Sequence, residues 1–145
     1  MLFSNDRAEM RQFFFKAWQK RNQGLILEPM EQIIVNVIHP HPEYHSFFDD
    51  IDNNLDKDFL PEMGQTNPYL HLSMHISIHE QLSVDQPNGI LNAFNELLRT
   101  TNDHHEAEHI IMDCLGEMIW KAQQENSTPD EELYLSCIQQ QIQKR

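Results

Sequence analysis

His71, His75 and His79 recur every four residues in NPYLHLSMHISIHEQ (67–81). His105 and His109 do the same in DHHEAEHIIMDCLGEMIW (103–120), where Asp113 and Glu117 continue the series. Residues four apart stack on one face of a helix. Two imidazoles so placed are one turn apart, a rise of ~6 Å, and both can reach one ion. His41 and His45 form a third pair at this spacing, and Glu106 stands three before His109, the ExxH step that di-iron bundles use on two of their helices. The chemistry these residues suggest is coordination of one transition metal by His71, His75, His105 and His109. Glu106 or Glu117 would serve as a further ligand or as a base beside the ligands. Imidazole with carboxylate suits zinc, iron, manganese or nickel without choosing among them. An open coordination position would add a metal-activated water and with it hydrolysis.

Each group also has a plainer reading. His71 and His75 fit as core histidines bonded to carbonyls or carboxylates. His105, Glu106, Glu108 and His109 fit as solvated first turns, where acidic residues favour the helix dipole. His79, followed by Glu80 and Gln81, reads as a rim residue. His39 and His41 beside prolines, and His104, read as surface, while Tyr44, Phe47 and Phe48 draw His45 inward. Cys114 sits among Met112, Leu115 and Met118 and reads as packing, since a nucleophile there would need a neighbouring base or positive field. The chain has no glycine-rich phosphate loop, no GxSxG and no HExxH.

These side chains need helices to hold them. Residues 5–23 form the first, capped by Asn5 or Asp6, striped by Phe13, Phe14, Ala17 and Trp18, and ended at Gly24. The second starts at Pro29, buries Ile33, Ile34, Val37 and Ile38, and stops at His39-Pro40-His41-Pro42. Pro42 opens a short helix, and residues 49–66 follow as an acidic, irregular loop. Residues 70–79 alternate apolar and polar as a strand does. The Asn67-Pro68 cap, the HEQL continuation and the lack of a partner strand decide for a helix. Pro87-Asn88-Gly89 makes a turn before a helix over 90–99, with Ile90, Phe94, Leu97 and Leu98 on one side. A long helix follows over 104–125, with Ile111, Cys114, Leu115, Met118 and Ile119 inside. The last runs over 129–142, opened by a Thr128-Pro129-Asp130-Glu131 capping box and carrying Leu133, Leu135, Ile138 and Ile142. The expected fold is all-α, one domain over 1–145, a compact bundle of five to six helices.

With 10 basic and 23 acidic side chains the net charge is −13. That argues against nucleic acid and against an anionic membrane face. No apolar run reaches the ~18 residues of a membrane span, and the N-terminus lacks the pattern of a secretory signal. Cys114 and Cys137 form no CxxC pair. They can form a disulfide, but in the expected cytoplasmic setting they read as two free thiols.

Over nearly its whole length the chain resembles a bacterial family, domain of unknown function 1841. The residues that carry the likeness are RQFFFKAW near the start, HPEYH (41–45), TNPYLHLSMHISIHEQ (66–81), AEHIIMDCLGEMIWKAQ (107–123) and PDEELYL. The resemblance implies no activity. It implies an arginine in other members at the place of His79, which argues against that residue as a ligand. By spacing alone the HxxxH pairs are similar to those of hemerythrin-like and DinB-like bundles. The five-histidine pattern of the former is missing, and one ExxH stands where ferritin-like di-iron proteins have two. The expected function is transition-metal binding. The alternative is an interaction or regulatory protein with structural histidines, docking a basic protein partner. A third reading, a thiol enzyme using Cys114, predicts rapid alkylation of that residue. No motif assigns a reaction or an oligomeric state.

Overall fold

A computed structural model describes residues 7–59 and 66–145. Among them are eight α-helices and no strand: α1 (Arg7–Asn22), α2 (Pro29–Ile38), α3 (His45–Phe48), α4 (Ile51–Asn54), α5 (Pro68–Val84), α6 (Ile90–Thr101), α7 (His104–Glu125) and α8 (Glu131–Gln143). The all-α expectation holds, and the count of five to six is low. One-turn helices α3 and α4 account for the difference. Asp50 caps α4, its carboxylate accepting from Asn53 N at 3.4 Å and Asn53 Nδ2 at 2.8 Å, inside the stretch expected to be irregular. The expected Asn5/Asp6 cap, and residues 60–65 of the long loop, lie outside the described residues.

The chain divides into two compact units, Met1–Ile76 and Ser77–Arg145, with the boundary falling within α5. In the first unit α1 packs on α2 and α3. Phe14, Phe15, Ala17 and Trp18 of α1 join Ile34, Val37 and Ile38 of α2, Phe48 of α3, and Tyr69, Leu72 and Ile76 of α5 in one buried cluster. The first helix ends as its glycine foretold. Gly24 has φ +71°, and Leu25 N donates to Lys20 O at 2.9 Å, which satisfies a carbonyl the helix would otherwise leave open. Trp18 is 2% exposed, and its indole N–H donates to Asp49 Oδ1 at 3.1 Å. At the start of α2 the buried Glu31 accepts from Glu28 N at 2.8 Å and from Lys20 Nζ at 2.6 Å. These two bonds, the lysine's first, hold its carboxyl below the usual carboxylate range.

The strand-like alternation of residues 70–79 folds as a helix. Asn67 Oδ1 accepts from Tyr69 N at 3.0 Å and Leu70 N at 3.3 Å, and Pro68 takes the first helical position. A period of two wound at 3.6 residues per turn spreads apolar side chains around the helix. Such a helix suits burial on more than one side, and Leu72, Ile76 and Ile78 are all buried.

In the second unit α6, α7 and α8 pack against one another. Asp85 organises the entry to α6 by accepting from Gly89 N at 3.2 Å and Leu91 N at 3.0 Å, with Gly89 at φ +100°. Asp103 caps α7 through His105 N and Glu106 N. The cap of α8 is Asp130, accepting from Glu132 N at 3.0 Å and Leu133 N at 3.2 Å, so the helix begins at Glu131 and not behind a Thr128 box. An aspartate in the N-cap position satisfies these donors with a charged oxygen, and Thr128 lies too far back to reach them. The face of α8 is Tyr134 and Ile138, while Leu133, Leu135 and Ile142 are half-buried. The expected free thiols are not present: Cys114 of α7 and Cys137 of α8 form a disulfide with Cα atoms 5.7 Å apart. Packing of α7 on α8 brings the two together across 23 residues, a distance that sequence spacing does not announce. Among the described residues no helix is long and apolar enough to cross a membrane.

Candidate metal centre

In the first unit three imidazoles gather. The prolines at 40 and 42 end α2, and His41 turns back beneath its last turn, only 2% exposed. The expectation that proline neighbours put His41 at the surface fails for a physical reason. Helix α2 leaves carbonyls open at its end, and His41 Nδ1 donates to one of them, Val37 O, at 2.7 Å. A carbonyl has no hydrogen, so the proton sits on Nδ1, and in the neutral ring Nε2 is the acceptor. A ligating histidine is held in the same way, by its second nitrogen on a carbonyl.

Helix α5 supplies His71, half-buried, and His75, 2% exposed. The ring centroids of His41, His71 and His75 are 4.8 to 5.0 Å apart, with steep interplanar angles of 86°, 64° and 74°. His71 Nε2 lies 3.2 Å from His41 Nε2. His71 therefore donates to the His41 lone pair, the same pair a metal would take. His45, the third HxxxH partner, points elsewhere. Its Nε2 meets the carbonyls of His39 at 3.1 Å and Ile38 at 3.3 Å, and its ring lies 4.7 Å from Trp18.

In the second unit α7 holds His105 and His109 side by side, half-buried, with ring centroids 4.1 Å apart. Glu106 and Glu117 are exposed on the same helix. Arg145 Nη1 lies 3.7 Å from Glu106 Oε1, and Glu117 Oε2 lies 3.6 Å from Cys137 Sγ. His39 and His104 are exposed, as expected.

The residue that sequence reasoning missed is Glu108, expected in a solvated first turn and only 5% exposed. It meets His79 Nε2 at 2.8 Å and His104 Nδ1 at 3.2 Å. The i, i+4 spacing of His104 and Glu108 was a visible signal, but His79 comes from a different helix. The bond to Glu108 raises the His79 pKa above the ordinary 6.5, against the effect of desolvation. A folded pKa above the unfolded one gives stability that is complete below pH 6.5 and is lost as pH rises through the folded value. His79→Gln is expected to remove that loss. Melts from about pH 6 to 8 should show the native protein losing its advantage over the variant, by ~1 kcal/mol at most for a pair with one partner a third exposed. Parallel melting curves across that range would contradict the pairing.

Residues 6–140 match the family described as Domain of unknown function (DUF1841). No curated protein and no solved structure matches the chain. The match spans nearly the whole sequence, and the chain belongs to that family.

Proposed function

We propose that this member of the family binds a transition-metal ion through its paired histidines, His41 with His75 in the first unit and His105 with His109 in the second. The observation that carries this reading is that each unit sets two imidazoles side by side, with ring centroids 4.8 Å apart for His41 and His75 and 4.1 Å for His105 and His109. The donors are neutral imidazoles, so the bound ion keeps its full positive charge. Zinc takes four ligands in a tetrahedral shell, so a histidine pair would leave positions for water or for further side chains. Iron, manganese or nickel at higher coordination number would leave positions for water or substrate. His41 replaces His71 in the proposed set, with His71 standing beside it as a reserve donor. Glu106 and Glu117, each beside another group on an exposed face, are better assigned to the surroundings of the site.

Elemental analysis of protein purified without a histidine tag tests the reading, beside a His75→Ala/His109→Ala double variant. The expected result is near-stoichiometric metal in the native chain and none in a folded variant. Absence of metal from both, after zinc, iron and manganese have been offered, would sink it. The second reading is a regulatory or interaction protein with structural histidines. It is favoured by the direct 3.2 Å contact between His41 and His71, which pairs one nitrogen of each ring without an ion. The same analysis decides between them.

A further inference from the structure

Arg11 lies one turn after Arg7 on α1 and is 4% exposed, an uncommon place for a guanidinium. Its Nη1 donates to Leu55 O at 3.0 Å and Lys57 O at 2.9 Å, and its carbon sits 4.1 Å from the centroid of the Tyr69 ring. Those contacts occupy one edge of the fork. The Nε–H is buried with no acceptor among the described residues. A second buried group shares this condition: the Ser73 hydroxyl on α5 has no hydrogen-bond partner among the described residues. In a helix such a hydroxyl commonly bonds back to a carbonyl one turn earlier, so an idle one calls for an explanation.

Arg11 and Ser73 line the same pocket, about 220 Å³, with Arg7, Met10, Tyr69 and Leu70. Both idle groups can donate, and two guanidiniums border the pocket in a chain of net charge −13. A carboxylate or phosphate oxygen only accepts, and guanidinium with hydroxyl suits it in geometry and charge. Met10, Tyr69 and Leu70 offer apolar surface to the rest of such a molecule. We propose that this pocket binds the oxyanion head group, carboxylate or phosphate, of a small organic molecule through Arg11 Nε, Ser73 Oγ and Arg7. Burial first, and then the like charge of Arg7, lower the pKa of Arg11, and a bound anion offsets both. Arg7 is held by Asp58 at 3.1 Å on an exposed edge, so it can turn to the ligand at small cost. Asp56 and Asp58 oppose an incoming anion, which limits the affinity of a bare ion.

The test follows the Nε–Hε resonance of Arg11 in the ¹⁵N-labelled full chain. Inorganic phosphate and benzoate are titrated separately against sodium chloride at equal ionic strength. A saturable shift with either, weakened about 10-fold or more in Ser73→Ala and in Arg7→Gln, is the expected result. Response to phosphate alone or to benzoate alone identifies the head group. Arg11 itself is left intact, because it holds the 55–57 carbonyls and its loss could unfold the segment. The proposal is overturned if neither anion moves the resonance beyond the chloride control, which would mean that water alone serves the two donors. Unchanged binding in folded Ser73→Ala would overturn it as well.

Discussion

Reduction of the Cys114–Cys137 disulfide is expected to lower the stability of the protein by about 3 kcal/mol. The bond closes a loop across 23 residues, and cross-linking a loop of that size removes roughly that much free energy from the unfolded ensemble. For a chain of this length the melting temperature should fall by roughly 10 °C. Calorimetry with and without a reductant measures it, and a Cys114→Ala/Cys137→Ala variant should melt with the reduced protein. A melting temperature indifferent to reductant would show that the bond does not form in solution. Cys114 is 1% exposed, so exchange with an outside thiol should begin at the more accessible Cys137. The bond also bears on where the protein works. Lasting disulfides belong to oxidising surroundings. The oxidised fraction in freshly quenched cells would therefore test the expectation of a cytoplasmic setting.

His41→Ala is expected to lose metal affinity by more than ~100-fold, since even an indirect partner of a ligand is worth 10- to 100-fold. It should also lose about 1–3 kcal/mol of stability, because the Val37 carbonyl is left buried without its donor. The two effects separate in a dye-competition titration with zinc and a chemical melt of the same sample. His71→Ala sharpens the result. It removes the donor that occupies the His41 lone pair, so it should cost metal affinity less than about 10-fold if His41 is the ligand. His39→Ala, two residues away and exposed, should change neither measurement. Equal losses in His41→Ala and His39→Ala would dismiss His41 as the anchor.

Helix boundaries were largely readable because the residues that set them act locally. Asn67-Pro68, Asp103 and Gly24 each satisfy or end a backbone ladder within a few residues, and each is found doing so. The contested 70–79 stretch shows the limit of periodicity alone, since its cap decides the element and its alternation misleads. The placement of the histidines was half legible. His71 with His75, His105 with His109 and His41 with His45 were visible as spaced pairs, but the burial of His41 was hidden behind two prolines that read as loop. Its burial depends on the Val37 carbonyl, and a backbone group at a helix end leaves no mark in a list of side chains. Glu108 escaped for a related reason, its partner His79 being 29 positions away. The disulfide was invisible because the packing of two helices, and no motif, brings its ends together.

The two tryptophans give the protein a built-in pair of optical reporters. Trp18 belongs to the first unit, shielded from water and bonded to Asp49, while Trp120 belongs to the second and is 61% exposed. Emission from the first should be blue-shifted and poorly quenched by iodide, and that from the second red-shifted and readily quenched. A Trp120→Phe variant isolates one signal and a Trp18→Phe variant the other. Unfolding followed through each in turn resolves whether residues 1–76 and 77–145 melt in one cooperative step or in two.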